Sequence, residues 1–116
     1  MPHVSIGVRT ALMVFYGYMC QYCGSAYGTH LLTIDHIDPV SRGGKNALEN
    51  YTLACAACNQ RKSNYLLPEP IRKKRLEIAA KNAVPIVELH QELTKKCPAL
   101  LVKVRRRNYY IALFGA

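Results

Sequence analysis

The spacing of hydrophobic residues changes from segment to segment along the first 65 positions of the chain. Apolar residues recur at helical spacing from Val8 to Met19, which predicts an N-terminal helix over 8–19. The run from Leu31 to Ile37 is rich in residues that favour strands, and an Asp-Pro dipeptide ends it. A second apolar run at 51–54 precedes residues 59–65, for which we predict a short helix. The pattern indicates two short extended segments flanked by helices.

The pattern changes after residue 65. Prolines at positions 68 and 70 separate the first part from a predicted basic helix over 71–83, and Pro85 is expected to start a further helix. Residues 100–114 have β character. We therefore predict an α+β chain with a core over 1–65. Its second part, 66–116, is predicted to be a basic helical extension that ends in a β-like segment and packs on the same domain.

Length and composition limit the class of protein. With 116 residues the chain is long enough for one domain, and an apolar content of 50% excludes wholesale disorder. The longest apolar runs reach about half of a membrane span, so no membrane partner is predicted. Residues 11–20 resemble a short signal-peptide core, but cleavage there would remove two cysteines that are paired by their spacing. We therefore expect a cytoplasmic protein with reduced thiols.

The formal net charge of +9 lies entirely in the second half of the chain. Residues 1–59 carry three Lys+Arg and three Asp+Glu, whereas residues 60–116 carry thirteen Lys+Arg and four Asp+Glu. The excess fits nucleic acid or an anionic membrane surface as partner, although a soluble basic protein without such a partner has the same composition. The asymmetry suggests chemistry in the first half and substrate binding in the second.

Four of the five cysteines form two identical pairs, Cys20–Cys23 and Cys55–Cys58, with 31 residues between them. A Cys-x-x-Cys turn presents two thiolates to one metal ion, and two such turns complete a tetrahedral site, so a structural Zn²⁺ is predicted. Two disulfides or an iron–sulfur cluster are the alternatives, and disulfides require an oxidising compartment. The fifth cysteine, Cys97, is expected to be a small buried residue.

Between and after the cysteine pairs stand an aspartate, a histidine, two glycines, two asparagines and a lysine, in a distinctive order. They are Asp35, His36, Gly43, Gly44, Asn50, Asn59 and Lys62. Their order and spacing within the cysteine frame closely resemble the zinc-containing branch of the HNH endonuclease family, over roughly residues 8–64. The resemblance implies a ββα-metal fold, in which a hairpin and a helix hold one catalytic divalent ion. It also implies hydrolysis of phosphodiester bonds in nucleic acid.

The resemblance further implies a role for each polar residue. His36 matches the general base that activates water, and Asp35 and Asn59 match the ligands of the catalytic ion. Asn50 matches the middle asparagine of the catalytic set, which holds the loop against the strand that carries the histidine. An all-oxygen ligand set suits Mg²⁺ or Mn²⁺ better than zinc. Because adjacent strand residues point to opposite faces, Asp35 and His36 share one site only if the strand bends or the substrate lies between them.

The predicted partner is DNA, in double-stranded form, cleaved on one or both strands by a monomer or a weak homodimer. The basic residues predicted to contact it are Arg42, Lys62, Arg72, Lys73, Arg105, Arg106 and Arg107. The alternative function is a non-catalytic zinc-ribbon module that binds nucleic acid, although such a module has no reason to keep Asp35, His36 and Asn59. A disulfide-bonded secreted basic protein is a third hypothesis.

Overall fold

The computed structural model describes residues 4–26 and 31–101 of the chain. Within them, three α-helices surround a two-stranded antiparallel sheet, which confirms the predicted α+β class. The elements are α1 (Ile6–Phe15), β1 (Leu32–His36), β2 (Tyr51–Cys55), α2 (Ala56–Lys62) and α3 (Glu69–Lys96). Short 3-10 turns occur at Val40–Arg42, Leu48–Asn50 and Pro98–Leu101. The predicted β-like segment lies beyond Leu101, outside the described residues.

Helix α1 ends four residues earlier than the apolar spacing predicts. Ser5 caps its N-terminus, since the side chain accepts a hydrogen bond from the backbone N–H of Val8 at 3.3 Å. The helix ends at Phe15 because the chain then turns through Gly17 and Tyr18, whose φ angles are 64° and 58°. The apolar positions after Phe15 therefore belong to the turn that leads into the first cysteine pair.

The two strands pair so that Asp35 lies opposite Thr52 and His36 lies opposite Tyr51. All of β2 and the first four residues of β1 are buried, because α1 packs against β2 and α2 packs against both strands. His36, the last residue of β1, is partly exposed. Helix α2 follows β2 directly, three residues earlier than predicted, because the Cys55 side chain caps its N-terminus.

Helix α3 is continuous over 28 residues, so the predicted break before Pro85 is wrong. Pro85 has no N–H and leaves the carbonyl of Lys81 without its usual helical donor. The next residue, Ile86, is only 1% exposed and belongs to the core, so burial against α1 offsets the lost bond. Further along, His90 lies directly over Gly7 of α1, where any Cβ atom would overlap the imidazole.

The hydrophobic core lies between α1, the sheet and α3. Its most deeply buried large side chains include Leu12, Met13, Leu32, Leu53 and Ile86. Because α3 packs against α1 and against the 3-10 turn at 48–50, the described part of the basic extension lies on the core. The division into 1–65 and 66–116 stays a prediction.

Two further expectations concern exposure. Cys97 is exposed and not buried, because it follows the last residue of α3 at the surface of the described structure. Among residues 4–26 and 31–101, no helix has both the length and the apolar character that crossing a membrane requires.

Candidate functional site

The four paired cysteines lie together in space. The Sγ atoms of Cys20, Cys23, Cys55 and Cys58 are all within 4.8 Å of one another. Cys23 Sγ and Cys55 Sγ are 3.8 Å apart, the separation of about 3.8 Å that follows from tetrahedral zinc with Zn–S bonds of about 2.3 Å. All five cysteines of the chain fall within the described residues and are free thiols. The geometry favours a zinc ion over two disulfides.

Backbone donors surround this cluster. The N–H groups of Tyr22 and Cys23 each lie 3.4 Å from Cys20 Sγ, and the N–H of Cys58 lies 3.4 Å from Cys55 Sγ. Such donors stabilise negative charge on sulfur, which is the form of the side chain that binds metal. The turns are therefore shaped for thiolate ligands.

The thiols have different proton affinities. Burial raises the pKa of Cys58 to about 12, whereas a hydrogen bond with Ser25 lowers the pKa of Cys23 to about 6. Arg61 Nη2 donates to Cys58 Sγ at 3.4 Å and partly opposes the effect of burial. A bound cation supplies the charge that the buried thiolate needs, so the chemistry of the donor set fits zinc.

Asp35 lies in the interior at the end of β1 and is 4% exposed. Each of its carboxylate oxygens has a donor, since the Tyr22 hydroxyl lies 2.7 Å from Oδ2 and Lys62 Nζ lies 3.3 Å from Oδ1. Burial raises the pKa of Asp35, and the hydrogen bond from Tyr22 and the charge of Lys62 oppose that shift. Burial, with the nearby carboxylate, also raises the pKa of Tyr22, so the phenol stays protonated and donates.

Lys62 connects α2 to the end of β1. Its ammonium group donates to the backbone oxygen of His36 at 2.9 Å as well as to Asp35, and its side chain is 6% exposed. A phosphate contact by Lys62, as predicted, would require the side chain to leave this buried pair. Asn59 precedes Lys62 by three residues on α2 and therefore lies on the same side of the helix. The structure thus brings Asp35, His36 and the Asn59 side of α2 to one end of the hairpin.

The His36 side chain is held by two neighbours. Its Nε2 atom lies 3.0 Å from Asn46 Oδ1, and its ring packs edge-on against Tyr51 with centroids 5.0 Å apart. The Tyr51 hydroxyl donates to the same Asn46 oxygen. Because an amide oxygen only accepts hydrogen bonds, Nε2 carries the proton, and in the neutral ring Nδ1 keeps the free lone pair. The His36 residue as a whole is partly exposed.

Asn50 holds the loop between the strands. Its Oδ1 accepts from the Asp38 N–H at 2.8 Å, and its Nδ2 donates to the oxygens of Asp38 and Lys45 at 2.9 and 2.7 Å. The residue is 3% exposed. Gly44 belongs to the same loop, and a Cβ atom there would overlap the Asp38 carbonyl. Asn50 is thus placed to hold the loop against the strand that carries His36.

Arg72 contacts protein carboxylates. Its Nε and Nη2 atoms lie 2.8 and 2.7 Å from the two oxygens of Asp38, and Nη1 lies 3.0 Å from Glu69. The hydrogen bonds and charge of Asp38 raise the pKa of Arg72 above its ordinary value. Helix α3 is thereby attached to the loop that Asn50 organises. Arg72 therefore has an internal partner where the sequence predicted DNA contact.

The other basic residues have different surroundings. Arg42 is exposed, and its Nε donates to the backbone oxygen of Asn64 at 3.0 Å. Lys73 is exposed on α3. Residues 105–107 lie outside the described ranges. Contacts of all these residues with nucleic acid stay predictions.

Sequence reasoning missed Tyr22 and Asn46 as site residues. Tyr22 lies between Cys20 and Cys23, and the motif itself predicts a role only for these two cysteines. Asn46 lies in the loop before Asn50. An available signal was residue type, because a phenol beside a metal ligand and an amide in a loop that faces a histidine are both hydrogen-bonding groups. Their partners, however, are 13 residues away for Tyr22 with Asp35 and 10 residues away for Asn46 with His36, and the fold decides these contacts.

Comparison with known proteins agrees with this geometry. The family model of HNH endonucleases matches residues 20–65. The chain is also similar to the CRISPR-associated endonuclease Cas9 of Actinomyces naeslundii, with 38% identity over 58 residues, which are 49% of this chain and 5% of that protein. No solved structure gives a significant match. The matched range contains both cysteine pairs and the polar motif, so the similarity to HNH endonucleases covers the part of the chain that holds the candidate site.

Proposed function

We propose that the chain is a metal-dependent endonuclease that hydrolyses phosphodiester bonds of DNA. The observation that carries the proposal is the contact of Lys62 Nζ with both Asp35 and the backbone of His36. Through this contact the helix that bears Asn59 meets the strand end that bears the carboxylate and the imidazole. The family match supports a nuclease in general. DNA as substrate is inferred from the family and from the basic second half.

His36 is the proposed general base. With Nε2 donating to Asn46, Nδ1 of the neutral ring accepts a proton from the attacking water. Tyr51 packs against the ring and also donates to Asn46, so the imidazole orientation is fixed from two sides. The partial exposure of His36 leaves room for the substrate phosphate beside it.

Asp35 and Asn59 are the proposed ligands of a divalent ion. Their carboxylate and amide oxygens fit Mg²⁺ or Mn²⁺, and Oδ1 of Asp35 already faces a cation, the ammonium group of Lys62. When bound, such an ion supplies positive charge for the phosphate and the leaving oxygen. Lys62 shares the same carboxylate oxygen and is therefore placed to balance its charge before an ion binds.

The test is cleavage of supercoiled plasmid by the zinc-loaded protein with added Mg²⁺ or Mn²⁺. We expect metal-dependent conversion to relaxed circles, and a loss of about 10²- to 10⁴-fold in rate for His36→Ala. Zinc content and melting temperature of the variant, measured in parallel, control for misfolding. DNA binding without metal-dependent cleavage would identify the alternative, a zinc-ribbon binding module. Cleavage that survives His36→Ala would show that another group is the base.

The strand products test a second part of the proposal. One chain carries one set of His36, Asp35 and Asn59, so a monomer cuts one strand at each encounter. We expect relaxed circles to accumulate before linear DNA appears. Linear DNA formed from the start, at a rate that rises with the square of protein concentration, would instead indicate a dimer at the cleavage site.

A further inference from the structure

Tyr22 contacts both the zinc cluster and the proposed catalytic carboxylate. Its backbone N–H lies 3.4 Å from Cys20 Sγ, and its hydroxyl donates to Oδ2 of Asp35 at 2.7 Å. The two ends of one residue therefore reach the two centres. The ring lies against the core, and the guanidinium carbon of Arg75 on α3 is 5.2 Å from its centroid.

We propose that Tyr22 is a positioning residue of the catalytic centre, which orients the Asp35 carboxylate for a divalent ion and ties that orientation to the zinc turn. The inference rests on the proposed function, because it takes Asp35 as a ligand. It adds a role for the zinc turn, which organises the site as well as stabilising the fold.

The physical argument starts from the two carboxylate oxygens. Rotation about the Cβ–Cγ bond lets an aspartate present either carboxylate oxygen to a cation. In Asp35 the hydrogen bond from Tyr22 engages Oδ2, so Oδ1 is the oxygen that faces Lys62. Because Asp35 is 4% exposed, water cannot replace a lost donor there without rearrangement. Removing the hydroxyl leaves a buried oxygen without its donor and a carboxylate free to turn. Groups that orient a metal ligand in this way typically contribute about 10- to 100-fold to metal affinity.

The test compares Mn²⁺ binding by the zinc-loaded wild type and by Tyr22→Phe, without DNA, from the electron paramagnetic resonance signal of free Mn²⁺. Thiolate sites select soft metals, so the titration reports the oxygen-ligand site. We expect the dissociation constant of Tyr22→Phe to rise about 10- to 100-fold with wild-type zinc content. Tyr65→Phe, which alters a ring that is 64% exposed, is the matched control and should bind Mn²⁺ as the wild type does.

Cleavage kinetics separate positioning from a general structural role. In Tyr22→Phe, the Mn²⁺ concentration for half-maximal cleavage should rise, while the rate at saturating Mn²⁺ recovers toward the wild-type value. A purely structural defect lowers the rate at every Mn²⁺ concentration and overturns the inference. So does a Tyr22→Phe protein with wild-type zinc content and unchanged Mn²⁺ affinity.

A second measurement uses the wild-type protein and does not depend on the variant folding. The hydroxyl proton of Tyr22, engaged in a short buried hydrogen bond, should give a resolved proton resonance that shifts when Mg²⁺ is added. A resonance unmoved at saturating Mg²⁺ contradicts the inference. If the wild type binds Mn²⁺ and the variant binds it more weakly, but neither cleaves DNA, the proposed function fails and the positioning role stands. If the wild type binds no Mn²⁺, both fail.

Discussion

The buried ion pair between Lys62 and Asp35 predicts a large loss of stability for Lys62→Met in the absence of divalent ions. Both side chains are nearly excluded from solvent, with exposures of 6% and 5%, and the charged atoms are 3.3 Å apart. Methionine retains most of the length and volume of lysine but not its charge. The substitution therefore leaves the Asp35 carboxylate buried without its cation.

The chain offers a matched control at its surface. Lys45 and Glu49 form an ion pair of 3.8 Å, but their side chains are 77% and 49% exposed. With an effective dielectric constant of about 20, the Lys62–Asp35 attraction is about 5 kcal/mol, and with that of water, about 80, the surface attraction is about 1 kcal/mol. Breaking a buried pair by removing one partner costs about 3–5 kcal/mol, whereas exposed pairs contribute about 0.2–1 kcal/mol. We expect Lys62→Met to lose several times more free energy of unfolding than Lys45→Met.

The measurement is urea unfolding followed by circular dichroism, at neutral pH and one fixed zinc concentration, without Mg²⁺ or Mn²⁺. Addition of Mg²⁺ should then restore part of the stability of Lys62→Met, since a divalent ion at Asp35 replaces the missing charge, and should leave Lys45→Met unchanged. Equal losses in the two variants would refute the argument, because they would show that the Lys62 pair is no stronger than a solvated one. A large loss that Mg²⁺ does not reduce would show that Asp35 holds no divalent ion.

Substitutions elsewhere test the zinc site, the loop and the basic helix. Cys55→Ser should abolish stoichiometric zinc in metal analysis, whereas Cys97→Ser, at an exposed cysteine outside the cluster, should retain it. Gly44→Ala should lower the free energy of unfolding by about 1–3 kcal/mol in urea titrations, because the added Cβ overlaps a backbone carbonyl. Arg72→Lys should lower the melting temperature nearly as much as Arg72→Ala, since one ammonium group cannot replace a two-point guanidinium contact. Lys73→Ala should reduce the steepness of log affinity for DNA against log salt concentration by about 0.9, because Lys73 is exposed. Arg72→Ala should leave this slope unchanged, because Arg72 pairs with Asp38. A change of slope for Arg72→Ala but not for Lys73→Ala would contradict this argument.

Local pattern was sufficient for the features that depend on neighbours in sequence. The strand from Leu32 to His36 and the cysteine cluster follow from residue type and spacing, because two Cys-x-x-Cys turns have few ways to share one ion. Lys62 was correctly placed on the side of α2 that bears Asn59. That this side faces a buried carboxylate depends on the packing of α2 against the strands, which spacing along one helix does not contain.

Two differences between local preference and structure have a common physical origin. Pro85 is a helix-breaking residue by its own chemistry, yet α3 continues through it because Ile86 is buried against the core. In the same way, Arg72 has the charge of a phosphate-binding residue, but the fold places both oxygens of Asp38 within reach of its guanidinium. In each case a contact between residues distant in sequence outweighs the local preference.

The formal charge of the second half overstates the positive charge available to an external anion. Among the basic residues of 60–101, Lys62, Arg72 and Lys96 each have a carboxylate partner within 3.3 Å. Two of these partners, Asp35 and Asp38, belong to β1 and to the loop that follows it. Part of the excess charge is therefore used inside the molecule, where it neutralises the carboxylate beside His36 and attaches α3 to the loop. Cations from beyond residue 59 therefore pair with carboxylates of the first 59 residues, at the end of the hairpin that bears His36.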